Sequence, residues 1–483
     1  MVQNSQRNIT MLMDLYELTM SNGYFSDTYT DEQVVFDVFY RKNPDNAGFS
    51  IFAGLEQVIE YIENLHFDEE EIAYLQSLQI FKEEFLTYLS TYQFRGHIEA
   101  LPEGTIMYPH EPILTVTASI IDAQLIETAV LTILNHQCLI ATKAQRIVKA
   151  AAGRGVADFG ARRAHNVDAA VYGARAAYIG GVASTATVLA GQMFSIPVSG
   201  TMAHSWVMYY GDEYEAFKQF ASVYPDATIL LVDTYDVLHS GIPNAIKLAK
   251  EVLIPQGKRL QGVRLDSGDL AYLSQKVRVM LDEAGLSDCK IMASNSLDEY
   301  TIRSILQQGG AIDGFGVGER LITAKSDPVF GCVYKMASVK RNGQWEPRIK
   351  VSESIEKITN PGRKALYRVY DAKGFAIADL IALADETVSM SAPYRYIHPQ
   401  KPWKEMYFEN CTVKRLQVPV IDGGKRVYPK QSLTDIRKFV QHQIDHEIWR
   451  EEQRFENPHI HYLDMSPSYY AMKMNLLDKV DKH

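Results

Sequence analysis

A chain of 483 residues exceeds what one hydrophobic core usually serves, so two or three structural units are expected. Its 46% hydrophobic and 22% charged residues exclude disorder and a fibrous class, and a net charge of -10 offers no electrostatic footprint for nucleic acid. Four scattered cysteines, Cys138, Cys289, Cys332 and Cys411, form no CxxC pair, so neither a disulfide framework nor a zinc knuckle is expected and a reducing cytoplasm fits best.

Near the start, Asp14 and Glu17 interrupt the apolar stretch that a signal peptide would need. Residues 34–40 alternate in strand fashion before a turn at Asn43-Pro44, residues 54–65 follow a helical pattern, and residues 104–116 read as two strands flanking Pro109. Residues 1–149 are therefore expected to form an α+β unit.

From about residue 150 to 335 one grammar repeats: a short apolar run ends in a polar or glycine-rich cluster, and a helical segment follows. Six runs fit it: 156–159 before Gly-Ala-Arg-Arg, 196–199 before Gly-Thr-Met-Ala-His, 229–232 before Asp-Thr-Tyr-Asp, 262–265 before Asp-Ser-Gly-Asp, 291–293 before Ser-Asn-Ser, and 312–315 before Gly-Val-Gly-Glu. The helix after the fourth run is the clearest, with Leu270, Leu273, Val277 and Met280 in one stripe and Gly285 placed to stop it. Strands alternating with helices predict a parallel sheet, and in a barrel the polar clusters at the strand C-termini gather at one mouth. An open doubly wound sheet is the alternative, but no GxGxxG opens the first unit. Residues 176–203 carry no formal charge, yet Gly180, Gly181, Gln192, Pro197 and Gly200 dilute them, so they read as a buried helix and strand rather than a membrane span. Residues 346–483 add a turn at Asn360-Pro361-Gly362, a strand over 365–369 and an amphipathic helix over 435–449.

The clusters carry recognisable chemistry. Arg162 and Arg163 can grip a carboxylate or phosphate with bidentate hydrogen bonds, where the plainer alternative is surface salt bridging. Asp233 and Asp266 end neighbouring runs and can converge on Mg²⁺ that bridges substrate phosphates, whereas Asp236 and Asp269 are better read as helix caps. Gly314, Gly316 and Gly318 leave backbone N–H groups open to a phosphate, and Ser294 and Asn295 at the end of the fifth run join Gly316 and Gly318 as phosphate-binding candidates. His204 can act as base, metal ligand or phosphoryl acceptor. His442 with His446, and His459 with His461, have metal-like spacing, but no Glu lies between the first pair as in HExxH and no Cys accompanies either, so a solvated helix face is expected to explain them. Lys143 and Lys325 end none of the six runs, which argues against a Schiff-base lyase.

The segments Asp14-Leu-Tyr-Glu-Leu-Thr-Met20, Phe36-Asp-Val-Phe-Tyr-Arg41, Phe159-Gly-Ala-Arg-Arg-Ala164, Gly200-Thr-Met-Ala-His204, Gly262-Val-Arg-Leu-Asp-Ser-Gly-Asp269 and Gly314-Phe-Gly-Val-Gly318 together resemble the nicotinate phosphoribosyltransferase family, with weaker similarity through Arg454-Phe-Glu-Asn-Pro-His459. The resemblance implies a type II phosphoribosyltransferase fold: an irregular α/β barrel over 150–345, an α+β sandwich domain over 1–149 and a C-terminal extension over 346–483 packing on both. It implies a cytoplasmic homodimer with shared sites, acting on nicotinate and 5-phosphoribosyl 1-diphosphate with ATP and Mg²⁺, without nucleic acid or membrane. Tyr16, from the partner subunit, and Phe159 would sandwich the pyridine ring. Arg162, Thr201 and Arg264 would hold the carboxylate or nearby phosphate groups, Asp233 and Asp266 the ribose and Mg²⁺, and Gly316 and Gly318 the 5-phosphate. His204 matches a phosphorylated histidine. Glu319 departs from the threonine of animal family members, and an acid beside a phosphate must turn away or work through a cation. Ser184, Thr185 and Thr187 occupy the region where nicotinamide-specific relatives carry an acid, which favours an anionic ring.

Overall fold

The structure, a computed structural model, describes residues 7–26, 32–354, 357–390, 394–398, 403 and 405–480. The chain divides into two compact units, Ile140–Pro328 and the combination of Met1–Leu139 with Val329–His483.

In the 140–328 unit six strands form one parallel sheet: β1 (Gly155–Asp158), β2 (Ser184–Thr185), β3 (Ile229–Leu231), β4 (Gly262–Leu265), β5 (Lys290–Ala293) and β6 (Gly314–Val317). Their spatial order is β2-β1-β6-β5-β4-β3, which makes an irregular, incompletely closed α/β barrel whose edge strands are β2 and β3. Strands covered on both faces read as continuous apolar runs. Leu230, Leu231, Val263, Leu265, Ile291, Phe315 and Val317 are accordingly fully buried. The helices between them are started by side-chain caps: Asn166 accepts from the Ala169 N–H, Asp212 from Glu215, Asp269 from Tyr272 and Asp298 from Thr301. Gly285, at φ +79°, ends the region after helix Leu270–Glu283, a conformation that glycine adopts without strain.

Two expected strands differ. Residues 196–199 form no strand; Val198 makes one isolated bridge to Thr185, and the second strand is instead the two-residue Ser184–Thr185. Pro197 lacks the N–H that a ladder needs, while the bridge leaves room for only one pairing. The sixth strand runs two residues later than its apolar run suggested, so Gly316 lies inside β6 rather than in the turn after it.

The other unit holds a seven-stranded sheet in the order Gln344–Pro347, Val333–Arg341, Gln33–Phe39, Leu114–Ser119, His97–Ala100, Val418–Asp422, Lys425–Arg426. N-terminal and C-terminal strands thus pair directly, Gln33–Phe39 with Val333–Arg341 and His97–Ala100 with Val418–Asp422. A six-stranded mixed sheet is centred on Ala376–Leu383, which pairs antiparallel with Lys364–Tyr370 and parallel with Leu463–Met465. The helical stretch Ile120–Ala150 is long and apolar enough to cross a membrane by length and composition, but 67% of its most apolar window is buried inside the protein, as expected of a core helix. The solvated helix face expected for the second histidine pair is not found: residues 459–461 lie outside any helix and His461 is buried, its Nδ1 3.1 Å from Glu452 and its ring stacked on Tyr108 at 3.8 Å, whereas His459 packs against Trp449 and Tyr462.

Candidate active site

Because all six strands run the same way, the segments following them emerge at one edge of the sheet. Asp233 follows β3 and Asp266 follows β4. The Asp233 carboxylate is buried: its Oδ2 accepts the backbone N–H of Asp266 at 2.9 Å and the Ser267 hydroxyl at 2.6 Å, while Oδ1 is buried with no hydrogen-bond partner. Ser294, directly after β5, donates its hydroxyl to Asp266 Oδ1. His204 opens helix His204–Tyr210, with Nδ1 3.1 Å from the Thr234 hydroxyl and Nε2 3.7 Å from Asp266 Oδ2 and 3.9 Å from Asp233 Oδ1. Its side chain is 40% exposed, so a solute can reach the ring. The structure therefore brings His204, Asp233, Asp266 and Ser294 into one cluster.

Arg264 lies on β4 and donates from Nη2 to the Met202 carbonyl at 3.0 Å; the Thr201 hydroxyl donates to the same oxygen at 3.3 Å. The Arg264 Nε is buried without a partner. Burial lowers its pKa; Asp266 and Asp233 raise it in opposition, and Arg162 adds a lowering contribution. A guanidinium so placed has an unused donor, which a carboxylate or phosphate can fill. Arg162 and Arg163 lie in the short turn Ala161–Arg163 after β1.

Phe159 directly follows β1, and its ring covers Gly316: a Cβ built on Gly316 would stand 2.4 Å from Phe159 Cε2. Gly316 is thus required by the ring beside it rather than by a positive φ. Gly318 lies against the Phe159 carbonyl in the same way, at 3.1 Å. Asn295 and Ser296 hold φ of +91° and +49°, left-handed conformations that non-glycine residues adopt at a cost of about 1–3 kcal/mol each and that concentrate at functional sites.

Glu319 is paired with cations. Its Oε1 accepts from Lys325 Nζ at 2.6 Å and its Oε2 lies 4.0 Å from Arg163 Nε. The Lys325 hydrogen bond and charge, with Arg163 and Arg320, hold its carboxyl below the usual range. Asp236 and Asp269 are caps, accepting from Leu238 and His239 and from Tyr272 respectively. Tyr16 belongs to the other unit, on helix Leu15–Phe25, and is exposed.

Three contributing residues escaped sequence reasoning. Thr234 faces His204, Ser267 holds Asp233, and Asp158 at the end of β1 accepts the Gly160 N–H and the Thr185 hydroxyl, each at 2.8 Å. Each directly adjoins a residue already singled out, which was the available signal. Asp158 also qualifies the reading of residues 184–190 as free of acid: a carboxylate does lie against Thr185, but both its oxygens are engaged and burial raises its pKa.

The two carboxylates can hold a cation, and Arg264 beside them, with its unpartnered Nε, can hold an anion. Asp233 Oδ1 and Asp266 Oδ2 are hard oxygen donors near one imidazole, and among the described residues no group of three or more His, Cys, Asp or Glu forms a closed metal cage. That donor set fits a cation shared with substrate phosphates and water, as Mg²⁺ usually is.

Comparisons with known proteins agree with this architecture. Family models match residues 11–135 (nicotinate phosphoribosyltransferase N-terminal domain), 155–372 (nicotinate phosphoribosyltransferase family) and 363–473 (nicotinate phosphoribosyltransferase C-terminal domain). The nicotinate phosphoribosyltransferase of Bacillus subtilis is 43% identical over 98% of this chain and 96% of its own length. The crystal structure of human nicotinic acid phosphoribosyltransferase superposes with a TM-score of 0.85 at 26% identity, covering 96% of this chain and 99% of that one. That of nicotinate-nucleotide pyrophosphorylase from Pyrococcus furiosus gives 0.69 at 25% identity, covering 92% and 98%. With all three family models matched in order and full-length similarity on both sides, the chain belongs to the nicotinate phosphoribosyltransferase family.

Proposed function

We propose that the chain joins nicotinate to 5-phosphoribosyl 1-diphosphate, releasing diphosphate and forming nicotinate mononucleotide for NAD biosynthesis, with ATP hydrolysis coupled through His204. The full-length likeness to nicotinate phosphoribosyltransferases carries the reaction class. The single observation that carries the site is the convergence of Asp233, Asp266 and His204 beside Arg264.

The pyridine nitrogen attacks ribose C1, and the C1–O bond to diphosphate breaks with its electron pair leaving on the diphosphate. Positive charge builds at C1 while negative charge departs, so the protein acts by positioning and electrostatic stabilisation rather than by supplying a nucleophile. Phe159, with Tyr16 of a second subunit, stacks the ring. Arg264, Arg162 and Thr201 orient its carboxylate or adjoining phosphate oxygens. Asn295, Gly316 and Gly318 take the 5-phosphate, while Ser294, whose hydroxyl donates to Asp266 and whose N–H donates to the Leu265 carbonyl, supports the carboxylate instead. Asp233 Oδ1 and Asp266 Oδ2 would hold Mg²⁺, which when bound supplies charge compensation for the diphosphate. Exposed apolar side chains on the barrel unit, Val188, Val198, Met208 and Tyr209, support a homodimer.

In the coupled step a His204 ring nitrogen attacks the γ-phosphorus of ATP, ADP leaves, and water later releases phosphate. A phosphoryl group near neutral pH carries about -1.5 to -2 charges. Placed beside two carboxylates, it would change which anions the pocket tolerates, and that is the physical basis for coupling.

The purified enzyme is assayed with phosphoribosyl diphosphate and nicotinate, nicotinamide or quinolinate, with and without ATP. Mononucleotide from nicotinate, stimulated by ATP, is expected; turnover of another ring in preference, or of none, overturns the reading. A His204→Ala enzyme should keep basal transfer and lose both ATP stimulation and retention of a phosphoryl label.

A further inference from the structure

Glu319 and Arg320 follow the glycine segment of β6 as adjacent opposite charges, and they reach to different places. Glu319 pairs with Lys325 and approaches Arg163 in the turn after β1. Arg320 donates from Nη1 to Asp298 Oδ2, in the segment after β5. The Asp298 side chain is only 14% exposed, against 43% for Glu319, so the Arg320 pairing is the less screened of the two.

Asp298 has two further duties. Its Oδ1 caps helix Glu299–Gln307 by accepting the Thr301 N–H at 2.8 Å, and it follows closely on Asn295 and Ser296, the two left-handed residues. Glu299, next along, is fully buried and ion-paired with Lys143 and Arg146, which lie in helix Glu127–Ala150. The strained Asn295-Ser296 turn is therefore anchored on its far side by Glu299, and Asp298 ties that anchored point to Arg320. Strain of this kind persists only where surrounding contacts over-determine it.

We infer that Arg320 and Asp298 are a positioning pair that locks the Gly316–Gly318 segment to the Ser294–Ser296 turn and so pre-sets the phosphate end of the site. This rests on the reading above, in which those two segments receive the 5-phosphate. Neither residue is asked to touch substrate. Their effect is to keep two sets of phosphate donors at a fixed separation, so that binding does not have to order them.

The test measures KM for phosphoribosyl diphosphate and for nicotinate, kcat and Tm in four variants of the full chain: Asp298→Asn, which keeps a capping side chain but loses the charge, Arg320→Met, their double variant, and Arg320→Lys. The expected result is a rise of about tenfold in KM for phosphoribosyl diphosphate in each of the first two, a nicotinate KM within about twofold, a double variant no worse than either single one, and partial recovery in Arg320→Lys. A lowered Tm with unchanged KM marks a purely structural pair and overturns the inference, as does additivity in the double variant. If the unmodified enzyme transfers phosphoribose to no pyridine carboxylate, the functional reading falls and this inference with it; an active enzyme with unmoved KM values removes the inference alone.

Discussion

Asp233 Oδ2 accepts the backbone N–H of Asp266 at 2.9 Å, so the two carboxylates that face His204 Nε2 are tied together through the main chain. One oxygen of Asp233 is spent on holding the β4 terminus and the other is left open. The same side chain is thus a fastening and, in the function proposed above, a metal ligand, and substituting it tests the two roles separately.

In Asp233→Asn the carbonyl oxygen can still accept from Asp266 and Ser267, but the open position becomes a neutral amide N–H₂. The fold should survive with little change in Tm, while kcat/KM falls by at least about a hundredfold through loss of charge where the metal and ribose are expected. Circular dichroism melts alongside steady-state kinetics separate the outcomes. A variant with near-normal kcat/KM would remove Asp233 from the reacting centre.

Gly316→Ala places a methyl group 2.4 Å from the Phe159 ring, closer than any real Cβ contact, so the ring must move. Because Phe159 is assigned to the pyridine and not to the phosphate, KM for nicotinate should rise by about tenfold or more with a smaller change for phosphoribosyl diphosphate. Equal effects on both substrates would show that the methyl disturbs the phosphate segment as a whole. The double variant Phe159→Leu with Gly316→Ala should relieve the clash without restoring ring stacking.

Glu17, in helix Leu15–Phe25, is a buried carboxyl whose Oε2 has no hydrogen-bond partner. Burial lifts its pKa from 4.5 to about 7, against hydrogen bonds from Thr128 and Asp14 that pull the other way. A folded-state pKa above the unfolded one gives stability that is present below the unfolded value and is lost as pH rises through the folded one. Glu17→Gln, which can still accept from Thr128, should therefore melt close to the parent at pH 4.5, and above it by a margin that grows between pH 5 and 8. A margin independent of pH would mean that Glu17 does not ionise across that range.

How far all this could be read from the sequence depends on distance along the chain. Buried parallel strands announced themselves as apolar runs such as 229–232 and 262–265, and the carboxylates at their ends were visible because a polar residue follows each run. The second strand was not, because Ser184–Thr185 is two polar residues long, while the apolar run 196–199 contains Pro197 and makes only the Val198 bridge. Ser267 and Thr234 were hidden for a different reason. Hydroxyl residues are common in turns, and only the folded geometry shows which of them faces His204 or Asp233. Pairings between distant segments, such as Asp298 with Arg320 or His461 with Glu452, leave no periodic trace at all.

A buried ion pair across two neighbouring strands gives the sharpest stability test. Arg368, on strand Lys364–Tyr370, is completely buried and forms a bidentate pair with Asp379 on Ala376–Leu383, Nε to Oδ1 at 2.8 Å and Nη2 to Oδ2 at 2.7 Å. Burial pushes the Asp379 carboxyl up, but the Arg368 charge, the Glu111 hydrogen bond, the His461 charge and the Arg368 hydrogen bond together hold it far below the ordinary carboxylate range. Arg368→Met leaves that carboxylate buried without its main partner, which typically costs about 3–5 kcal/mol. His461 Nε2, 3.5 Å from Asp379 Oδ1, offsets part of this, so the lower end is expected, read as a clear drop in the denaturant midpoint with an unchanged slope. Replacing both partners, Arg368→Met with Asp379→Leu, removes the stranded charge and should recover much of the loss. A double variant less stable than Arg368→Met alone would mean that Asp379 contributes mainly through Glu111 and His461 rather than through the arginine.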